Sequence, residues 1–228
     1  FKKLLKKKEK EAAETAKNMT PIFNDAWAIS LEKIKEDSKP DAIINSWWDF
    51  GHMFKLWADR AVTFDGTSQN TPQAHWIGNA LLTDDEELAI GILKMLDCSG
   101  GTMLGGTKAF EMVNTKMIDG AITISIIKEM IVKDKEEAKA YLLKQGFNEE
   151  EIEEILLQTH CKPPENYFIT SDDMVGKSVV WAHFGSWNFD RGLIYNTLKK
   201  EVYRNDLDKS VEFLQQRFDY SKEDAEKL

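Results

Sequence analysis

Trp47, Trp48, Asp49, Phe50 and Gly51 follow one another without interruption. An indole N–H can only donate a hydrogen bond, and an ionised carboxylate can only accept one. A short segment that presents both suits a small group that donates and accepts at once, and a hydroxyl is such a group. Gly51 is expected to free a turn after the tryptophan pair, with Phe50 and His52 supporting the segment. The competing reading is core packing, with Asp49 capping a helix. Further along, Met174, Lys177 and Trp181 fall at i, i+3 and i+7, which places them on one face of an expected helix. Met174 and Trp181 would offer an apolar wall. Lys177 could pair with Asp49 or approach a peptide backbone. Here the competing reading is two ordinary core residues and a solvated charge.

Other constellations carry less. His52 lies close to Asp49, but no activated nucleophile accompanies them, so a hydrolase is disfavoured. His160, Cys161 and Cys98 have the side chains zinc prefers, yet no Cys-x-x-Cys spacing supports a zinc site. Residues 99–106 are glycine-rich but lack the Gly-Lys-Ser/Thr ending of a phosphate loop, so they read as a connection.

The elements that must hold these residues can be read in outline. Trp27, Leu31 and Ile34 form the stripe of a helix that starts at Asn24 or Asp25 and stops before Pro40. Ala42, Ile43 and Ile44 read as a buried strand running straight into the tryptophan pair. Residues 52–58 read as a short helix, 61–64 as a second strand and 73–81 as a helix. Thr83 and Glu86 have capping-box spacing before another helix, whose stripe is Leu88, Ile92, Leu93 and Leu96. Residues 107–159 are mostly helical. Asp134 opens one piece and Gly146 closes it, and Asn148 with Glu151 caps the next. Tyr167, Phe168, Ile169 and Thr170 read as a third strand. Thr170 or Ser171 caps the helix that follows, and charged helices at 207–218 and beyond Ser221 close the chain. The expected fold is a mostly α-helical α/β arrangement, with helices around about three short strands. Three regions are expected. Residues 1–20 form a basic helix or tail, residues 21–205 a globular core with a helical sub-region at 107–160, and residues 206–228 a C-terminal helical segment.

The 228 residues carry a net charge of −9, which disfavours a general nucleic-acid-binding role. No apolar run reaches the length of a membrane span. The lysine-rich opening fits either a solvated tail or a segment at the mouth of a membrane helix. The chain begins at Phe1 rather than Met, so the start is expected to be processed or cut.

The run from Ser46 to His52 resembles the signature of the STT3-type catalytic subunit of oligosaccharyltransferase, usually Trp-Trp-Asp-Tyr-Gly. Phe50 here replaces the tyrosine and loses one hydroxyl. Residues 59–66 and 168–191 resemble the archaeal branch, and Met174, Lys177 and Trp181 match the spacing of that family's second motif. The resemblance covers roughly residues 20–195 and corresponds to the extracytoplasmic domain that follows the membrane spans. It implies an enzyme that moves a lipid-linked oligosaccharide to Asn in Asn-X-Ser/Thr, with this part reading the Ser/Thr through Trp47, Trp48, Asp49, Met174, Lys177 and Trp181. The implied partners are the acceptor polypeptide, the lipid-linked oligosaccharide and the protein's own membrane domain. Catalytic acids and a divalent metal (Mn or Mg) are expected in the full-length enzyme, with no catalytic residue, cofactor or metal in this fragment. The alternative function is a non-enzymatic helical peptide-binding module.

Outside the cytoplasm, Cys98 and Cys161, the only two cysteines, could form a disulfide; two buried thiols are the alternative. Asn18, Met19 and Thr20 form one Asn-X-Thr acceptor triplet, which chance alone often supplies.

Overall fold

The computed structural model describes residues 2–18, 23–68, 72–100 and 107–228. Met19 and Thr20 of the Asn-X-Thr triplet, and most of the glycine-rich stretch, fall outside them. Fifteen helices among these residues surround one small sheet. They are α1 (Lys2–Asn18), α2 (Asp25–Asp37), α3 (Gly51–Ala58), α4 (Pro72–Leu82), α5 (Glu86–Ser99), α6 (Lys108–Met117), α7 (Gly120–Ile131), α8 (Lys135–Lys144), α9 (Glu149–Thr159), α10 (Asp172–Gly176), α11 (Ser178–Gly185), α12 (Phe189–Leu198), α13 (Glu201–Arg204), α14 (Leu207–Phe218) and α15 (Lys222–Lys227). The strands are β1 (Ile43–Asn45), β2 (Ala61–Val62) and β3 (Asn166–Phe168). They are parallel in the order β2-β1-β3, with Ile43 opposite Ala61 and Ile44 opposite Tyr167. This is the mostly helical α/β arrangement with a three-stranded sheet that the sequence leads one to expect.

Three apolar clusters hold the elements. The largest joins α4, α5 and α6–α9 through Trp76, Ile77, Ile92, Met95, Ile127, Met130, Leu142 and Ile152, all fully buried. A second packs Leu31, Phe54 and Ala58 of α2 and α3 under Ile44 of β1. The third joins α12, α14 and α15 through Ile194, Val211, Leu214 and Ala225. Arg217 on α14 pairs with Asp119, the residue that caps α7, and so ties this last cluster to the rest. Cys98, near the end of α5, is joined by a disulfide to Cys161, just past α9. Both thiols are therefore committed, and a zinc set built on them has no thiolate.

Local chemistry explains where the elements differ from the expected ones. The cap of α5 is Asp85, whose carboxylate accepts from Leu88 N, while Thr83 Oγ1 accepts from Asp85 N. A cap at Thr83 would begin the helix two residues early, and the carboxylate at 85 outcompetes it. The expected helix through Met174, Lys177 and Trp181 is two helices. It breaks at Lys177, where φ is −98° and ψ is 7°. Gly51 frees no turn, since its backbone is ordinary right-handed helix. A Cβ there would lie 2.6 Å from both Phe64 O and Asp65 Cβ. The glycine thus lets the start of α3 press against the backbone leaving β2. Beside it Asp65 binds Lys55, accepts from Thr67 and lies 3.6 Å from His52 Nδ1. Burial would raise the Asp65 carboxyl, but the Lys55 and Thr67 hydrogen bonds outweigh it and hold it well below the usual carboxylate range.

Candidate functional site: the segment after the central strand

The two indoles occupy different surroundings. Trp47 leaves β1 into the main core, is 2% exposed and sits edge-on to Phe64 at 5.4 Å between ring centres. Trp48 begins a single turn of 3₁₀ helix (Trp48–Phe50) and packs on the core's margin, partly exposed. Neither indole N–H has a hydrogen-bond partner among the described residues, which leaves two donors uncommitted.

Asp49 follows in the same turn. Its Oδ1 lies 2.9 Å from Lys177 Nζ, and its Oδ2 is buried with no donor. Lys177 also reaches Asp173 Oδ2 at 2.7 Å and lies 5.7 Å above the Phe50 ring. Burial works against the Lys177 charge, but the hydrogen bonds to Asp173 and Asp49 outweigh it and raise its pKa above the ordinary lysine value. The Asp173 carboxyl is likewise raised by burial, but Lys177 and Ser171 lower it further than burial raises it. Asp49, Lys177 and Asp173 form one ion-paired triad, with the lysine ammonium between two carboxyl groups.

The strands position these groups. Asp49 departs from the C-terminal end of β1, and Lys177 follows the end of β3, the neighbouring parallel strand. Ligands of open parallel sheets bind at this edge. Trp181 donates from Nε1 to Met174 O at 2.9 Å, bridging the break between α10 and α11. Met174 is 6% exposed and faces the core, with Trp181 packed partly against it. The break keeps Lys177 at the surface while Met174 and Trp181 stay on the apolar side.

α11 is held from behind by α4. A Cβ on Gly78 would lie 2.4 Å from Trp181 O, and one on Gly185 would lie 2.3 Å from the Gly78 carbonyl carbon. His75 Nδ1 meets Phe184 O at 2.9 Å, and Asn79 Nδ2 donates to Gly185 O at 3.1 Å. Burial pushes the His75 imidazole down to about 4, with the Phe184 hydrogen bond opposing this and the Lys128 charge adding to it. Neutral His75 must then carry its proton on Nδ1, since a carbonyl only accepts.

Sequence reasoning missed Asp173, although its i, i+4 spacing to Lys177 was available as a signal. It also missed the support from His75 and Asn79, which no local pattern announces. Among the described residues no three His, Cys, Asp or Glu side chains converge to hold a metal ion. Asp49 and Asp173 both face an ammonium, so a divalent ion has no ready donor set here.

A model of the STT3/PglB/AglB core domain matches residues 40–191, two-thirds of the chain and all of the site. The chain belongs to this family. It is 38% identical over 173 residues to a dolichyl-phosphooligosaccharide-protein glycotransferase of Methanococcus voltae. It is 36% identical over 174 residues to the protein of the same name from Methanocaldococcus jannaschii. Each match covers 75% of this chain and 18% of the relative, so the chain spans under a fifth of the length of these curated relatives. No solved structure matches it. Among the described residues no helix is long and apolar enough to cross a membrane.

Proposed function

We propose that this chain is the acceptor-reading part of an oligosaccharyltransferase, and that the whole protein transfers a lipid-linked oligosaccharide to Asn in Asn-X-Ser/Thr. One observation carries the reading: the Asp49 carboxylate is anchored through one oxygen on Lys177 while its other oxygen is buried without a donor. An unsatisfied buried acceptor costs about 1–3 kcal/mol, and a ligand O–H relieves that cost. Asp49 then accepts from the Ser/Thr hydroxyl, whose oxygen can take the N–H of the partly exposed Trp48, while Trp47 packs in the core behind it. Partly exposed Trp181, backed by the buried Met174, receives the threonine methyl, worth about 0.8 kcal/mol and so a several-fold preference over serine. The chain's own residues thus recognise and orient the acceptor. Catalytic groups, a divalent metal and the lipid-linked donor belong to the rest of the protein. The disulfide supports an extracytoplasmic setting, where such bonds persist.

The test is Asp49→Ala in the full-length enzyme, assayed on Asn-X-Thr and Asn-X-Ala peptides. A site built to bind a hydroxyl rejects the analogue lacking it by up to roughly 10⁴-fold. The variant should therefore lose most of the discrimination between the two peptides, chiefly through slower transfer to Asn-X-Thr. Wild-type discrimination in Asp49→Ala would exclude this role.

A further inference from the structure

One carboxylate lying across the sheet takes no direct part in this reading. Asp97 lies in the last turn of α5, beside the disulfide cysteine Cys98. Its Oδ1 accepts from Asn45 Nδ2 at 3.0 Å, and its Oδ2 accepts from Asn166 Nδ2. Asn45 Oδ1 in turn accepts from Thr63 Oγ1. Asn45 ends β1, Asn166 begins β3 and Thr63 directly follows β2. A single side chain outside the sheet therefore closes a polar circuit over all three strands.

The identity of the residue follows from the donors it meets. Asn45 and Asn166 each present an NH₂ group, so the bridging side chain needs two acceptors and no donor. Ionised aspartate satisfies this, whereas asparagine sets an N–H against an N–H. Burial pushes the Asp97 carboxyl up, and the hydrogen bonds from Asn45, Asn166 and Thr63 oppose that. No lysine or arginine pairs with it among the described residues. A partly buried carboxylate without a counter-ion is a poor source of stability, but it can specify one arrangement over its neighbours.

The arrangement it specifies is the register from which the site departs. Ile169 N donates to Asn45 O at 2.9 Å, and Ser46 Oγ donates to Ile169 O at 2.8 Å, immediately before the two segments diverge toward Asp49 and Lys177. A slip of one residue between β1 and β3 would turn every following side chain to the opposite face. The disulfide holds the end of α5 against the segment leading into β3, so Asp97 is itself firmly placed.

We propose that Asp97 is a positioning residue for acceptor recognition, a carboxylate clamp that sets the β1–β3 register and through it the placement of Asp49 against Lys177. The proposal rests on the acceptor-reading role of Asp49. It is tested in the full-length enzyme with Asp97→Asn, a change of no volume. The KM for an Asn-X-Thr peptide should rise roughly tenfold while the KM for the lipid-linked donor stays unchanged. The exchange Asp97→Asn with Asn166→Asp restores one donor for each acceptor and should recover most of the loss. In a cycle with Lys177→Met, the two effects should fall short of multiplying, because both act on one pair.

An unaltered acceptor KM in Asp97→Asn overturns the proposal. So does a parallel rise in both KM values with a lowered melting temperature, or an exchange variant no better than the single one. Asp49→Ala run alongside separates the two claims. If it retains Thr-over-Ala discrimination, the underlying reading has failed. If it loses that discrimination while Asp97→Asn behaves as wild type, only the clamp has failed.

Discussion

Between α6 and α9 the chain packs helices by apolar contact and closes them with local caps. Across the sheet and beyond its C-terminal end it relies on amides and charges drawn from distant parts of the sequence. Ile127, Met130, Leu142 and Ile152 in the first region are fully buried, and Asp119, Asp134 and Asn148 cap the helices that carry them. In the second region Asn45, Thr63, Asp97 and Asn166 converge from four elements, and Asp49, Lys177 and Asp173 from two. Apolar packing is non-directional and tolerates substitution of similar volume. Polar circuits are directional, and each missing partner strands another group. The helical region therefore supplies stability, while the sheet end supplies the geometry that recognition needs.

The disulfide joins the two regions, and removing it gives the largest expected effect. Its cysteines are 63 residues apart, and closing a loop of that length restrains the unfolded chain by roughly 4 kcal/mol. Cys98→Ser with Cys161→Ser should lower the unfolding free energy by about that amount in a urea titration. Amide exchange should sharpen the contrast. The Ile169 and Thr63 N–H groups, which bond across the sheet end, should lose more protection than those in the middle of α7. Equal losses in both places would mean that the two regions open as one unit and that the contrast is only chemical.

The same contrast decides what could be read in the sequence. The limits of α8 and α9 are written locally: Asp134 and Asn148 begin each helix with full capping boxes, and Gly146 follows α8 with φ of +88°. The existence of β1 was legible from three apolar residues, and the tryptophan–aspartate run from its composition. The break at Lys177 falls directly after Gly176, a weak local marker, while the ion pairs of Lys177 to carboxylates of two different segments are not visible in local sequence. Gly51 looked like a turn residue. Its real constraint is the backbone leaving β2, which a local reading does not contain. Asn45 and Asp97 carry no pattern of their own and gain meaning only once three strands lie side by side.

Acid should separate the regions next, through two histidines. His160, past α9, has partners on both ring nitrogens, Lys133 O at 3.1 Å and Thr159 Oγ1 at 2.8 Å. His75, behind the site helix α11, has one partner and a buried bare Nε2. Its pKa falls from 6.5 unfolded to about 4 folded, so across that window the unfolded chain binds the extra proton. Stability from neutral His75 is complete above the unfolded value and is lost as pH falls toward the folded one, about 3 kcal/mol in all. Melts at neutral pH and near pH 4 should show His75→Gln losing less stability on acidification than the wild type. Parallel losses would place the acid sensitivity elsewhere, with His160, whose imidazole burial also pushes down, the next candidate.

The smallest expected effect belongs to the helical region. Asn148 Oδ1 accepts from Glu151 N at 2.9 Å, and Glu151 Oε2 accepts from Asn148 N at 2.7 Å, so the start of α9 satisfies two backbone donors with two side chains. Asn148→Ala removes one of these bonds and should cost about 1 kcal/mol. Because the cap is local and far in sequence from the strands, the acceptor KM of the full-length enzyme should not move. Burial is what makes this separation plausible, since Ile152 and Ile155 on α9 keep their places in the core whether or not the first turn frays. A changed acceptor KM in Asn148→Ala would mean that fraying at α9 reaches the site, with the disulfide at Cys161 as the shortest path for it to do so.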